Sequence, residues 1–115
     1  MRLNFKRIFF LLLIFSIPNC LYAGDLLLGK EKAAIVCAAC HGMDGQAASG
    51  GNSSLTPNIT AQEKEYLLAK LKDYKSGKIN HPQMSLIAQM LSDEDIENVS
   101  EWYSKIKISI ELPSE

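Results

Sequence analysis

Cys37-Ala38-Ala39-Cys40-His41 is the stretch that decides the fold of this 115-residue chain. Two thiols separated by two residues, with a histidine directly after the second, form the attachment pattern for c-type haem. The thiols of Cys37 and Cys40 add to the two vinyl groups on one edge of the porphyrin, and His41 then donates an imidazole nitrogen to the iron as proximal ligand. The stretch therefore predicts one covalently bound haem c.

A zinc site and a thioredoxin-like redox pair are the alternatives at this motif. A zinc site needs one or two further ligands, and His81 is the only other histidine in the chain. A redox pair is expected near a βαβ pattern, which the sequence lacks. We therefore favour haem attachment over both alternatives.

Residues 1–23 have the features of a secretory signal peptide. A basic start leads into an apolar run, residues 8–17, that is too short for the roughly 20 residues of a transmembrane helix. Ala23 and Gly24 then place small residues on either side of a cleavage site. We expect cleavage after residue 23, localisation in the periplasm, and a single domain over residues 24–115.

The same segment allows two alternatives. One is an uncleaved anchor, and the other is lipid attachment at Cys20 after cleavage before that residue. Lipid attachment fits poorly, because Pro18 and Asn19 are not the small residues expected before the modified cysteine.

The chain after residue 23 is mildly acidic, because the signal segment contains basic residues and no acidic ones. It has no basic stripe of the kind that binds nucleic acid. A chain this short buries a modest core, so a staple is expected. A covalent haem on Cys37 and Cys40 supplies that staple and leaves no thiol for a disulfide.

The spacing of apolar residues predicts an all-α fold of about four helices with no strand. Asp25 is the predicted cap of a first helix from about Leu26 to Val36. Gly29 inside that helix either allows close approach by another helix or is a weak spot. The predicted apolar face of the helix consists of Leu27, Leu28, Ala34 and Ile35.

A long polar segment, residues 42–60, is rich in glycine, asparagine and serine, so regular structure is not expected there. A loop of this length has a role if it wraps around a haem edge. Pro57 near its end leaves its carbonyl free, and a ligating histidine usually donates its other ring N–H to such a group.

Two further helices are predicted after this loop. Thr60 and Glu63 read as a capping box for a helix that ends near Lys75, before Gly77. A short apolar helix then begins at Met84. Within this short helix, Met90 reads as a core residue.

The last predicted helix runs from about Asp93 to Lys107, with Ser92 and Asp95 as its cap. Residues from Ile108 onward are predicted to be a loose tail. The predicted inner stripe of the helix consists of Ile96, Val99, Tyr103 and Ile106.

This order of elements resembles the small class I c-type cytochromes over essentially the whole chain after residue 23. Residues 37–45 look like the CxxCHGxxG opening of the family, and residues 57–59 resemble an element whose proline carbonyl accepts a hydrogen bond from the proximal histidine. Tyr74-Lys75-Ser76-Gly77 resembles the aromatic-K/R-S-G turn. The resemblance also matches Gly29 and Tyr103 to the crossing of the first and last helices, which favours a packing role for Gly29.

The sequence departs from the family pattern at Ile79, where many relatives have an arginine that helps to hold a haem propionate. Lys78 is the nearest substitute. Residues 76–79, with Met84 following, also look like the cytochrome subunit of flavocytochrome c sulfide dehydrogenases. That similarity implies a flavoprotein as one possible partner.

The sixth ligand of the iron has four candidates. Met43 lies too close to His41 in the chain to cross the ring easily, Met90 reads as core, and His81 reads as an exposed loop residue. Met84 has the family spacing and follows a proline-containing loop, so the resemblance implies Met84 as the distal ligand. An open sixth position is the remaining alternative.

We therefore predict a periplasmic monohaem cytochrome that carries single electrons between redox partners and is not an enzyme. The predicted cofactor-binding residues are Cys37, Cys40, His41, Met84 and Pro57, with His41 and Met84 as metal ligands. Predicted partners are redox proteins such as a respiratory complex, an oxidase or a flavoprotein dehydrogenase. The alternatives are a haem subunit of a flavocytochrome c-type sulfide dehydrogenase and an open-site haem sensor or small haem enzyme, although the sequence offers no distal histidine–arginine pair for peroxide chemistry.

Overall fold

The computed structural model describes residues 23–48, 50–51 and 55–114. The predicted signal peptide and Cys20 lie outside the described residues, apart from Ala23. Within the described part the chain is helical and forms no strand, as predicted. No helix in this part is long and apolar enough to span a membrane.

A continuous helical stretch runs from Leu26 to His41, and three separate helices follow it. The fold class predicted from the sequence, all-α with about four helices, is therefore confirmed. In chain order the elements are α1 (Leu26–Lys32), a π-helical segment (Ala33–Cys37), α2 (Ala38–His41), α3 (Lys64–Lys75), α4 (Met84–Gln89) and α5 (Asp93–Lys105).

The first helical stretch continues five residues beyond the predicted end at Val36. Asp25 caps α1, since its carboxylate accepts hydrogen bonds from the backbone N–H groups of Leu27 and Leu28. The backbone N–H of Ala38 donates to the carbonyl of Ala33, five residues earlier, which is a π-type bond. The chain thus enters the Cys37–His41 motif as helix rather than as loop.

The predicted apolar face of the first helix is wrong. Leu27, Leu28 and Ile35 are exposed, whereas Gly29 and Ala33 are buried where α1 packs against α5. A β-carbon on Gly29 would overlap the carbonyl oxygen of Asn98 in α5. Small residues occupy this face because they let the backbones of α1 and α5 approach closely.

Helix α3 ends where predicted but does not start with the predicted capping box. Glu63 occupies the cap position without a side-chain hydrogen bond, and the hydroxyl of Thr60 instead donates to the carbonyl of Asp44, 2.6 Å away. The helix ends at Lys75, and Gly77 beyond it has a φ of 76°. A left-handed residue at that point is the usual end of a helix.

Helix α5 supplies three of the eight buried hydrophobic residues in the described part of the chain, more than any other element. Its predicted cap is confirmed, because Ser92 and Asp95 exchange the two hydrogen bonds of a capping box. Of the predicted stripe, Ile96, Val99 and Tyr103 are buried. Ile106 is only half-buried, because the helix ends at Lys105, two residues before the predicted end. Tyr103 packs with Ala33 and Leu67, so this one residue joins the first helical stretch, α3 and α5.

Candidate haem-binding site

The two thiols lie at different depths in the surface. Cys37 ends the π-helical segment and is half-buried, whereas Cys40 in α2 is exposed. Burial raises the pKa of the Cys37 thiol to about 11. The structure thus places one sulfur at the edge of the core and the other at the surface, about one helical turn later, with two residues between the cysteines.

His41 ends α2 and is buried. Its Nδ1 lies 3.0 Å from the carbonyl oxygen of Pro57. A carbonyl oxygen can only accept, so Nδ1 must carry the proton. The neutral ring then has its lone pair on Nε2, which is the form that binds a metal.

The carbonyl of Pro57 is held in place by the loop that follows the motif. The backbone N–H of Ile59 donates to the carbonyl of Gly45, 2.8 Å away. Gly45 has a φ of 76°, and a β-carbon on it would lie 2.7 Å from the backbone nitrogen of Thr60. Only glycine fits there, which gives the second glycine of the motif a structural reason.

Helix α5 also holds the turn after His41. The indole N–H of Trp102 donates to the carbonyl of Met43 at 3.1 Å, and the hydroxyl of Tyr103 donates to the carbonyl of Gly42 at 3.0 Å. The apolar stripe predicted a packing role for Tyr103, and neither of these hydrogen bonds was predicted. The available signal was that buried Tyr and Trp need a partner for their single polar group.

Met84 is the first residue of α4 and is half-buried. His81, three residues earlier, is exposed, as its interpretation as a loop residue required. Met90 is 71% exposed, so its assignment to the core is wrong. Ala88 and Leu91 are buried instead, because the turn of α4 directs this side of the segment inward and Met90 outward.

Lys78, the predicted substitute for the missing arginine, is exposed and lies with its Nζ 3.0 Å from a carboxylate oxygen of Asp73. Ile79 is half-buried, and its backbone N–H donates to the carbonyl of Asp73. The structure therefore pairs Lys78 with Asp73, which lies five residues earlier in the chain.

The residues present fit a haem. A neutral histidine nitrogen and two thiols lie within the five residues from Cys37 to His41, and several large apolar side chains remain on the surface. A macrocycle would give such side chains an apolar body to cover. They include Ile35, Leu55 and Leu86. The zinc alternative finds no support, since the described part of the chain has no group of three or more metal-binding side chains suited to one ion.

Comparisons with known proteins agree with this fit. The family model described as "Cytochrome c" matches residues 27–107. Cytochrome c-554(548) of Halomonas halodenitrificans is 41% identical over 85 residues, which are 71% of this chain and 96% of that protein. The crystal structure of reduced recombinant cytochrome c4 from Pseudomonas stutzeri superposes with a TM-score of 0.61 at 33% identity, over 76% of this chain and 48% of that one.

A third relative bears on the choice of partner. The cytochrome subunit of sulfide dehydrogenase from Chlorobaculum tepidum is 30% identical over 76 residues, which are 66% of this chain and 64% of that protein. The chain thus spans nearly all of the Halomonas protein but only about two thirds of the sulfide dehydrogenase subunit.

Proposed function

Since this chain belongs to the cytochrome c family, whose members bind haem c covalently and transfer electrons, we propose that Cys37 and Cys40 attach its haem and that His41 and Met84 ligate the iron. The chain is an electron carrier and not an enzyme. The haem supplies a one-electron couple between ferric and ferrous iron.

The hydrogen bond from His41 to Pro57 is the observation that carries the ligand proposal. It holds the ring in one orientation and keeps the proton on Nδ1, so Nε2 is the free donor. Hydrogen bonding to Nδ1–H also raises the basicity of Nε2 and strengthens its donation to a metal. His41 follows directly after Cys40, which puts this nitrogen beside the attachment point.

We propose that Met84 would supply the second protein ligand of the iron, because it starts α4 directly after a short loop held by hydrogen bonds. Its neutral thioether favours the ferrous form and raises the reduction potential relative to a second histidine. A one-electron potential moves about 59 mV for each 1.4 kcal/mol, so a ligand that stabilises ferrous over ferric iron by that amount raises the reduction potential by about 59 mV.

We propose that the electron enters and leaves at the haem edge beside Cys40, because the side chain of Cys40 is exposed. A thioether on this residue would put one edge of the macrocycle at the surface, where a redox partner can approach. Contacts of this kind are usually small and short-lived. We propose redox proteins as the partners and the periplasm as the compartment, on the strength of the signal-peptide features in residues 1–23.

The similarity to a sulfide dehydrogenase subunit favours a second candidate, a cytochrome bound permanently to a flavoprotein. It shares the haem chemistry and differs in having a fixed partner. Purification of the tagged chain from its own periplasm tests this candidate. Stoichiometric flavin in the purified sample supports the complex, and haem without flavin supports a free carrier.

Spectra of the oxidised and reduced protein test the ligand proposal. The ferric wild type is expected to show the weak long-wavelength absorption band of methionine-ligated haem, and Met84→Ala is expected to abolish it. Met90→Ala is the matched control, since Met90 is exposed. If Met90→Ala removes the band while Met84→Ala keeps it, the proposed ligand is wrong.

A further inference from the structure

We propose that His81 is a positioning residue that fixes the backbone of Met84 and so keeps its sulfur at the iron. The inference rests on the proposed function, because it takes Met84 as the distal ligand. It gives His81 a role that neither a free loop residue nor a replacement ligand would have.

The imidazole of His81 accepts from the start of α4. Its Nδ1 lies 3.2 Å from the backbone nitrogen of Met84 and 3.3 Å from that of Gln83. Both backbone groups can only donate, so Nδ1 is the acceptor and the neutral ring carries its proton on Nε2. One ring nitrogen therefore satisfies two N–H groups that the first turn of the helix leaves without partners.

The same pattern of two hydrogen bonds occurs at the start of α1, where the capping residue is an aspartate. A carboxylate oxygen of Asp25 accepts from the backbone nitrogens of Leu27 and Leu28, two and three residues later, at 2.8 and 2.9 Å. His81 accepts from the residues two and three positions later. An imidazole thus does at Met84 what a carboxylate does at the start of α1.

The His81 ring is itself held in place. It packs edge-on against Tyr74 of α3, with 5.9 Å between the ring centroids. The backbone N–H of His81 donates to the hydroxyl of Ser85 at 2.9 Å, and that hydroxyl donates to the carbonyl of Ile79 at 3.2 Å. These bonds tie the loop before Met84 to the helix after it.

This arrangement has a consequence for competition at the iron. An external ligand that displaces a thioether must also let the backbone of Met84 move away. As long as Nδ1 of His81 holds that backbone, the movement breaks two hydrogen bonds. Removal of the ring lowers this cost, so external ligands should bind more tightly.

Titration of the ferric holoprotein with imidazole at one fixed pH tests the proposal. His81→Ala should raise the affinity for imidazole by between about twofold and about thirtyfold, the range that corresponds to loss of a helix cap. His81→Asn retains a short acceptor two and three residues before the same N–H groups, so it should restore the affinity to within about twofold of the wild type. Unchanged affinity in His81→Ala, or no rescue by His81→Asn, overturns the proposal.

Asp25→Ala is the matched control, because it removes the same type of cap from α1. It should lower resistance to denaturant without tightening imidazole binding. If Asp25→Ala tightens binding as much as His81→Ala, the effect is general loosening and the proposal fails.

Two further measurements keep the proposal separate from the ligand assignment. If the wild type lacks the methionine band, or keeps it in Met84→Ala, the proposed function has failed at Met84, whatever His81 does. If Met84 passes that test, nitrogen NMR of the wild type should find the proton of the His81 ring on Nε2. A proton on Nδ1 contradicts the capping role without recourse to any variant.

Discussion

The hydroxyl of Tyr103 lies 3.0 Å from the carbonyl oxygen of Gly42, the residue that follows His41. The two residues are 61 positions apart in the chain, so the last helix holds the turn after the haem motif directly. Burial raises the pKa of the Tyr103 hydroxyl well above its usual range, which keeps the proton in place for donation.

Tyr103→Phe is expected to destabilise the holoprotein by about 0.5–1.5 kcal/mol, because the buried carbonyl of Gly42 loses one of its two hydrogen bonds and keeps the one from the backbone N–H of Gly45. Urea unfolding followed by circular dichroism measures the change. Tyr66→Phe is the control, since Tyr66 is half exposed. Equal effects of the two variants would show that the hydrogen bond to Gly42 contributes nothing specific.

Gly29→Ala is expected to destabilise the protein, although alanine is the better helix former by about 1 kcal/mol. The new methyl group would overlap the carbonyl oxygen of Asn98, and α1 and α5 would have to separate. Overpacking of this kind usually costs about 1–3 kcal/mol beyond any gain in propensity. Glu31→Ala, at an exposed position of the same helix, should change stability by less than about 0.5 kcal/mol. A Gly29→Ala variant as stable as the wild type would contradict the close crossing.

The ion pair between Lys64 and Glu101 makes stability depend on pH. Nζ of Lys64 lies 3.0 Å from Glu101, and the hydrogen bond lowers the pKa of Glu101 below 4.5 and raises that of Lys64 above 10.5. The contribution of Glu101 is complete above pH 4.5 and is lost as the pH falls further, because the unfolded carboxylate takes up its proton first. That of Lys64 is complete below pH 10.5 and is lost as the pH rises.

Lys64→Met should therefore flatten the loss of stability in acid and cost roughly 0.2–1 kcal/mol at neutral pH. Urea midpoints across an acid series measure both effects. Lys107→Met removes the same charge from the exposed tail and should leave the acid slope unchanged. An unchanged slope in Lys64→Met would show that the pair is too well solvated to matter.

Covalent attachment predicts that haem stays with the chain in acid–acetone extraction, because thioethers survive that treatment. The double variant Cys37→Ala, Cys40→Ala should hold no stable haem and be largely unfolded. The reason is that the described residues include only eight buried hydrophobic side chains, and three of them are the alanines Ala33, Ala47 and Ala88. Complete recovery of haem in the acetone layer from wild type, or cooperative unfolding of the double variant with native helix content, would contradict the prediction.

Capping residues in the sequence predicted the ends of helices correctly where the capping side chain makes its hydrogen bonds within its own helix. Asp25 and Ser92 cap α1 and α5 as expected, and Gly77 follows α3 in the left-handed conformation. The prediction failed at Thr60, because that hydroxyl bonds to Asp44 in a loop 16 residues earlier. Nothing in the residues around Thr60 specifies that long-range bond.

Burial was harder to predict than helix position. Apolar periodicity assigned Leu27, Leu28 and Met90 to the interior, but all three are exposed. The rule that large apolar residues are buried assumes a core built from protein alone, and a chain that binds a macrocycle also has to supply a surface for it. Gly29 and Ala33 are buried where the first helical stretch packs against α5. Hydropathy does not identify them as core residues because their side chains are small.

The π-helical segment from Ala33 to Cys37 lies between the part of the helix that packs against α5 and the part that contains Cys40 and His41. Each residue of an α-helix turns the chain by about 100°, so the face that meets α5 dictates where every later side chain points. One extra residue in the π turn resets that phase before Cys37 and lets the crossing at Gly29 and the thiol pair be oriented independently. Cys37, Cys40 and His41 all follow Val36, so the extra residue sets the direction of the two thiols and the imidazole together, relative to the face that packs against α5.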